Sequence, residues 1–341
     1  MFNTTDVPKS SRIPKLVEAL YANMPVIESA RAKLLTESYK ATEGEPMVTR
    51  RAEAFAHILR NIPIIIRDNE LIVGSSTIAP RGCQTFPEFS YQWLEDELDT
   101  VATRTADPFY ISEQAKADLR EVHKYWKGKT TSELATSYMA PEAILAIDHN
   151  IFTPGNYFYN GVGHVTVKYW EVLEIGYEGI MAKAQAELDK CNVGDGDYAE
   201  RSRFLEAVIM SCQAVIDYAD RYAKLALEMA EKEADPTRKK ELEQIAANLE
   251  VVPAHKPQTF WQAIQLYWFT HLAVTTELNP WDAFSPGRLD QHLIKYYEAD
   301  TEAGILDDEK AKELLECLWI KFYNQPAPVK VGITLKESAT Y

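Results

Sequence analysis

Thr259-Phe260-Trp261-Gln262-Ala263-Ile264-Gln265-Leu266-Tyr267-Trp268-Phe269-Thr270-His271-Leu272-Ala273-Val274-Thr275-Thr276-Glu277 carries a formal charge only at its last residue. Phe260, Ile264, Leu266, Trp268 and Leu272 leave no polar side to the pattern, which predicts a helix buried nearly all round. Long helices precede it over Lys168–Lys190, Tyr198–Lys232 and from Asp235-Pro236 to about Leu249. Asp235 as N-cap with Pro236 at the first helical position is a strong start signal. Asp307 caps a further helix from Glu309 to Phe322. Upstream, Ile13, Leu16, Leu20, Met24, Ile27 and Leu34 line one face of a helix over Arg12–Lys40. Arg50–Asn61 is a second helix, ended by Pro63. Ser112 caps a helix running to Trp126, and Thr130 with Glu133 has capping-box spacing.

Few strands are legible. Ile64–Ile66 and Leu71–Val73, the latter followed by Gly74, are short apolar runs between turn formers and read as buried strands. Thr77–Pro108 reads as a fixed surface loop with a short helix at Tyr91–Leu98. Val329-Lys330-Val331-Gly332-Ile333-Thr334-Leu335 alternates with period two and reads as a strand entering a core. Tyr341 follows six residues later, so either the chain stops inside a larger fold or a short last strand closes this one.

The 341 residues hold 36 Lys+Arg against 51 Asp+Glu, a formal charge of −15. Such acidity disfavours nucleic-acid backbones. At 46% hydrophobic and 26% charged, the composition suits a globular protein with a core. No apolar run reaches the roughly 18 residues that span a bilayer, and the N-terminus has no signal-peptide core. The sequence therefore reads as a soluble, cytoplasmic protein. Cys83, Cys191, Cys212 and Cys317 lie far apart with no ligand spacing, which excludes a sequence-evident zinc site and argues against a disulfide scaffold. Cys212 and Cys317 fall in apolar helical runs; Cys83, in an Arg-Gly-Cys-Gln loop, reads as more open. None has the surroundings of a nucleophile.

Gly161-Val162-Gly163 lacks the third glycine of a dinucleotide fingerprint, and no phosphate loop, H-E-x-x-H or G-x-S-x-G occurs. Trp261, Tyr267 and Trp268 at helical spacing read as core. Two segments remain. Pro154-Gly155-Asn156 opens the irregular stretch Tyr157-Phe158-Tyr159-Asn160-Gly161-Val162-Gly163-His164, whose glycines permit close backbone approach and whose Asn and Tyr tips can hydrogen-bond a ligand. His164 is either a core residue or, protonated, a donor to a departing hydroxyl. Asp282, after Pro280-Trp281, either caps a helix beginning near Ser285-Pro286 or faces a cavity.

Asp68-Asn69-Glu70-Leu71-Ile72-Val73-Gly74, Pro257-Gln258-Thr259-Phe260-Trp261-Gln262-Ala263 and Ser285-Pro286-Gly287-Arg288-Leu289-Asp290-Gln291 together resemble the glycyl radical enzymes, the superfamily that includes pyruvate formate-lyase. The resemblance covers essentially the whole chain. Residues to about 190 look most like B12-independent glycerol and propanediol dehydratases. Thr275–Phe284 and the ending Lys336-Glu337-Ser338-Ala339-Thr340-Tyr341 are more similar to 4-hydroxyproline dehydratases. The resemblance implies an α/β fold, the helix-rich N-terminal part of a ten-stranded α/β barrel. Residues 1–341 then form the first part of that domain, without its cysteine loop or C-terminal glycine-radical domain, since neither a Gly-Cys-Val-Glu nor an Arg-Val-x-Gly-Tyr loop occurs.

It also implies a lyase of the hydro-lyase class, eliminating water from a 1,2-diol or from 4-hydroxyproline. His164 stands where the family protonates the leaving hydroxyl, a step a dry cavity demands. Asp282 replaces a neutral His-Ser pair of the glycerol-type enzymes and suits a cationic substrate amine, whereas Asn156 follows the diol pattern. Phe158 and Ser338 join Asn156 as substrate contacts. No metal or organic cofactor is bound; the radical is installed by a separate activating enzyme using S-adenosylmethionine and an iron–sulfur cluster. An anaerobic cytoplasm, a homodimer for the full-length protein, no nucleic-acid or membrane partner and inactivity of these 341 residues alone follow as expectations. The alternatives are another branch of the family (acyl transfer, decarboxylation or C–S cleavage) and a non-catalytic helical scaffold.

Overall fold

Pro25 divides the first apolar stretch. A proline cannot continue a helix, so in the computed structural model, which describes residues 10–105, 108–149, 151, 161, 163, 165–278 and 284–324, α1 (Arg12–Tyr21) gives way to strand β1 (Val26–Glu28) before α2 (Ala30–Ala41) begins. The single helix expected over Arg12–Lys40 is thus two helices around a strand. β1 is the centre of a parallel sheet ordered β2-β1-β3, with β2 at Gly82–Gln84 and β3 at Tyr110–Ile111. Ile27 pairs with Cys83 and Ile111. Periodicity misses β1 because three residues of strand beside a helix keep the same apolar count.

α3 (Met47–Asn61) and the short α4 (Gln92–Glu97) precede α5 (Glu113–Trp126), α6 (Thr131–Ser137) and α7 (Pro141–Asp148). The Ser112 hydroxyl accepts from the Ala115 amide at 3.1 Å. Thr130 and Glu133 make both bonds of the capping box. Beyond β4 (Val165–Thr166), α8 (Tyr169–Leu188) breaks at Gly176, whose φ of +65° is open to glycine. There the 253–254 backbone inserts and accepts from the Tyr177 and Glu178 amides, each at 3.0 Å. α9 (Tyr198–Lys232) and α10 (Pro236–Leu249) follow the expected bounds, the second capped by Asp235.

α11 (Phe260–Leu278) is buried on nearly every side, as its sequence predicts. After it come β5 (Phe284–Ser285), α12 (Leu289–Glu302) and α13 (Asp308–Tyr323), the last capped by Asp307. β5 pairs in parallel with β4, Val165 opposite Phe284 and Thr166 opposite Ser285.

The expected strands at Ile64–Ile66 and Leu71–Val73 do not form. Leu71–Gly74 bends at Leu71–Ile72 and reaches Gly74 at φ +111°, and its backbone groups are met by side chains of α11 rather than by a neighbouring strand. Trp261 Nε1 donates to the Leu71 carbonyl at 3.0 Å, and Trp268 Nε1 to that of Gly74 at 3.0 Å. The Gln265 amide accepts from Val73 N at 2.9 Å and donates to Val73 O at 2.8 Å. Positions 261, 265 and 268 share one helical face, so α11 supplies the ladder that a strand would have supplied. Thr77–Pro108 departs too: much of it is buried and contains β2, and Cys83 is 1% exposed rather than open. The expected strand over Val329–Leu335 lies outside the described residues.

Candidate active site

His164, Asp282, Asn156, Phe158 and Ser338 all lie outside the described residues, so the site is approached through their described neighbours. Gly161, three residues before His164, has φ +85°. A Cβ there would lie 2.8 Å from the Leu278 carbonyl and 2.8 Å from the Phe89 ring. Leu278 is the last residue of α11, four before Asp282. On the far side of each segment, Val165 and Phe284 are partners in register. The stretch that carries His164 and the stretch that carries Asp282 are therefore bordered, at both described ends, by residues in contact across the pair.

Aromatic rings and one imidazole support this strand pair. Phe284 meets His271 edge-on at 6.4 Å, Phe322 does so at 4.7 Å, and Trp268 stacks on the same ring at 5.6 Å. Burial drives the His271 pKa down to about 4, so the ring is neutral at pH 7. Its Nδ1 lies 3.2 Å from the Tyr169 hydroxyl. Burial pushes that phenol up to about 12, so both partners of this hydrogen bond are neutral at pH 7. This histidine is a buried, neutral part of the core packing.

A buried charge pair stands at the other end. Arg31, on α2, donates from Nε to the Thr276 carbonyl at 2.7 Å and from Nη1 to that of Thr85 at 3.1 Å. Its Nη1 and Nη2 also reach the two Glu88 oxygens at 3.2 and 2.6 Å, and the guanidinium lies 3.7 Å from the Phe86 ring centre. Nearby, Arg51 Nε donates to Glu277 at 2.6 Å. Burial still raises the Glu277 carboxyl above its usual range, against the pull of Arg51 and Arg31. This pair borders a mostly apolar cavity of about 620 Å³ between α3, α9 and α11. Arg31 was not among the residues singled out from the sequence. Its signal was a cation four residues after Ile27 and three before Leu34, on the apolar stripe itself.

Cys83, Cys212 and Cys317 are buried, and desolvation raises the Cys212 and Cys317 thiols to about 12. Among the described residues no group of three or more His, Cys, Asp or Glu is arranged to hold a metal, and no helix is long and apolar enough to cross a membrane.

A model of the Pyruvate formate lyase-like family matches residues 5–341. The chain belongs to this family. It is 44% identical over 333 residues to trans-4-hydroxy-L-proline dehydratase of Clostridioides difficile, covering 97% of this chain and 42% of that protein. Among solved structures it superposes with a TM-score of 0.93 on one describing 1,2-propanediol dehydration in Roseburia inulinivorans, at 55% identity over 97% of this chain and 39% of the other. The glycerol-bound B12-independent glycerol dehydratase of Clostridium butyricum matches at 47% identity and a TM-score of 0.91, over 95% and 41%. The chain thus spans about 40% of the length of these relatives. Its helix-rich architecture is that of the corresponding portion of a pyruvate formate-lyase-type fold.

Proposed function

We propose that this chain is the N-terminal portion, residues 1–341, of a glycyl radical dehydratase, a C–O lyase that removes water from a small hydroxylated substrate such as a 1,2-diol or 4-hydroxyproline. The observation that carries the reading is the pairing of the two candidate segments, Gly161 against Leu278 and Val165 beside Phe284. Similarity to dehydratases acting on hydroxyproline, propanediol and glycerol supports the reaction class.

The family's glycyl radical, held on a glycine outside these 341 residues and installed by a separate activating enzyme with S-adenosylmethionine and an iron–sulfur cluster, supplies hydrogen-atom abstraction at the substrate carbon. The part of this chain is to bind and to protonate. His164 gives its proton to the departing hydroxyl, because hydroxide is a poor leaving group where no water can solvate it. Asp282 orients the substrate, Asn156 hydrogen-bonds a hydroxyl, and Phe158 and Ser338 line the pocket. The Asn156–His164 stretch contains no Arg or Lys, which weighs against the acyl-transfer and sulfonate-cleaving branches, whose substrates call for fixed cationic contacts. We place the enzyme in an anaerobic cytoplasm as a homodimer. Catalysis requires the rest of the longer polypeptide, and the 341 residues alone convert no substrate.

The test is His164→Ala in the full-length polypeptide after activation. The glycyl radical signal in electron paramagnetic resonance is retained and product formation is lost; undiminished turnover removes His164 from the mechanism. Supplying propane-1,2-diol, glycerol and trans-4-hydroxy-L-proline to the unsubstituted enzyme separates the substrate classes.

A further inference from the structure

We infer that Arg31 is a positioning residue for this site: its guanidinium ties the 85–89 turn to the C-terminal end of α11, and through Phe89 holds Gly161 against Leu278. The inference rests on the reading of His164 and Asp282 given above, and extends it to a buried cation outside both segments.

Four donor contacts of one side chain meet three points. Thr276 O lies on α11, two residues before Leu278, and Thr85 O and Glu88 lie on the turn after β2. The Arg31 side chain is wholly buried and that of Glu88 nearly so. Phe86 covers the guanidinium face. The Glu88 and Phe89 carbonyls in turn accept from the Thr131 and Ser132 amides at the start of α6, each at 3.0 Å, which fixes the turn from its other side. Phe89 then presents the ring edge against which Gly161 lies, and the opposite wall at Gly161 is the Leu278 carbonyl. The spacing between the two candidate segments is thereby set by a single planar fork.

A buried ion pair is a poor way to gain stability, since the desolvation of both charges offsets most of their attraction, and an apolar pair of equal volume often does as well. What an apolar pair cannot do is bind two carbonyls and a carboxylate in fixed directions. Lysine cannot either: its three donors radiate from one point, whereas the guanidinium fork is rigid and planar. The contacts made by Arg31 are therefore directional ones, and their direction is toward the ends of the site-bearing segments.

Hydrogen–deuterium exchange of the full-length polypeptide, read on peptides covering 158–166, 274–284 and, as a remote control, 236–249, tests this without requiring turnover. Arg31→Lys raises exchange about tenfold or more in the first two peptides and leaves 236–249 unchanged, as expected of local opening. Phe89→Leu, which keeps the ion pair, raises exchange in 158–166 alone. With an activated enzyme, both variants lower kcat about tenfold or more while KM stays within about twofold, because placement of the reacting groups is lost and not substrate binding. Unchanged protection of 158–166 in either variant overturns the proposal, as does an equal rise in all three peptides. Should Arg31→Lys not fold, Phe89→Leu decides by the same criterion. Where local exchange responds as expected but the unsubstituted enzyme dehydrates none of the three hydroxylated substrates, the positioning role stands and the functional reading falls.

Discussion

Acidification from pH 7 to pH 5 will weaken this fold through His271, whose imidazole is enclosed by Trp268, Phe284 and Phe322 and shares a hydrogen bond with Tyr169. Burial lowers its pKa from 6.5 to about 4. The unfolded chain therefore binds a proton on this ring at a pH where the folded chain does not, and stability falls as pH drops through 6.5 toward 4. The full penalty, developed below pH 4, is about 3 kcal/mol from the gap between those two values. At pH 5 about 2 kcal/mol of it is present, and at pH 7 only ~0.2 kcal/mol. Against a typical total of about 5–15 kcal/mol, a loss of this size is readily measured. His271→Gln keeps an acceptor of similar reach and cannot titrate, so it isolates the effect from every other acid-sensitive group. Urea unfolding at pH 7 and pH 5 should show the unsubstituted chain losing about 2 kcal/mol more than His271→Gln on the same change of pH. In parallel, ¹³C-histidine NMR should show that the ring of His271 does not titrate between pH 7 and 5. Equal pH responses in the two proteins, or a His271 midpoint above 6, refute the reasoning.

Lys321 and Glu70 form a nearly dry pair at 2.8 Å that joins α13 to the turn before Leu71. Lys321→Met should cost about 3 kcal/mol, the lower end for breaking a buried pair, because Arg67 still contacts the carboxylate; a chemical-denaturation loss below about 1 kcal/mol contradicts this. Gly176→Ala places a methyl group 2.8 Å from His255 Cα at a positive φ, and should remove at least ~2 kcal/mol, seen as a lowered thermal midpoint. Thr130→Ala deletes half of the capping box and should cost ~1 kcal/mol in the same measurement, whereas Thr130→Ser should be near neutral.

The helices and their caps were legible because their causes are local. Ser112, Thr130, Asp235 and Asp307 each accept from an amide two or three residues ahead, so a short window of sequence contains both partners. The charge-free pattern over Thr259–Thr276 likewise carries its own evidence of burial. The resemblance read from three separated strings was equally available, since residue identity alone supports it. Those strings suffice to name the family and its dehydratase branch.

Partners distant in sequence were another matter. Leu71–Gly74 has the composition of a strand, and only the fold reveals that Trp261, Gln265 and Trp268 take the neighbouring strand's place, about 190 residues away along the chain. β1 was hidden because a three-residue strand leaves too few apolar positions to outvote a helical period. Nothing local to Arg31 names its partners, and only the fold brings Glu88, Thr85 and Thr276 around it. What these 341 residues determined by themselves was where the capped helices start, that the Thr259–Thr276 helix is buried, and which family they belong to. The tertiary structure alone decided which backbone groups and charges satisfy one another, and that Gly161 meets Leu278. Capping and periodicity act over one or two turns, whereas a desolvated charge or an extended backbone takes its partner from whatever the folded chain places within 3 Å.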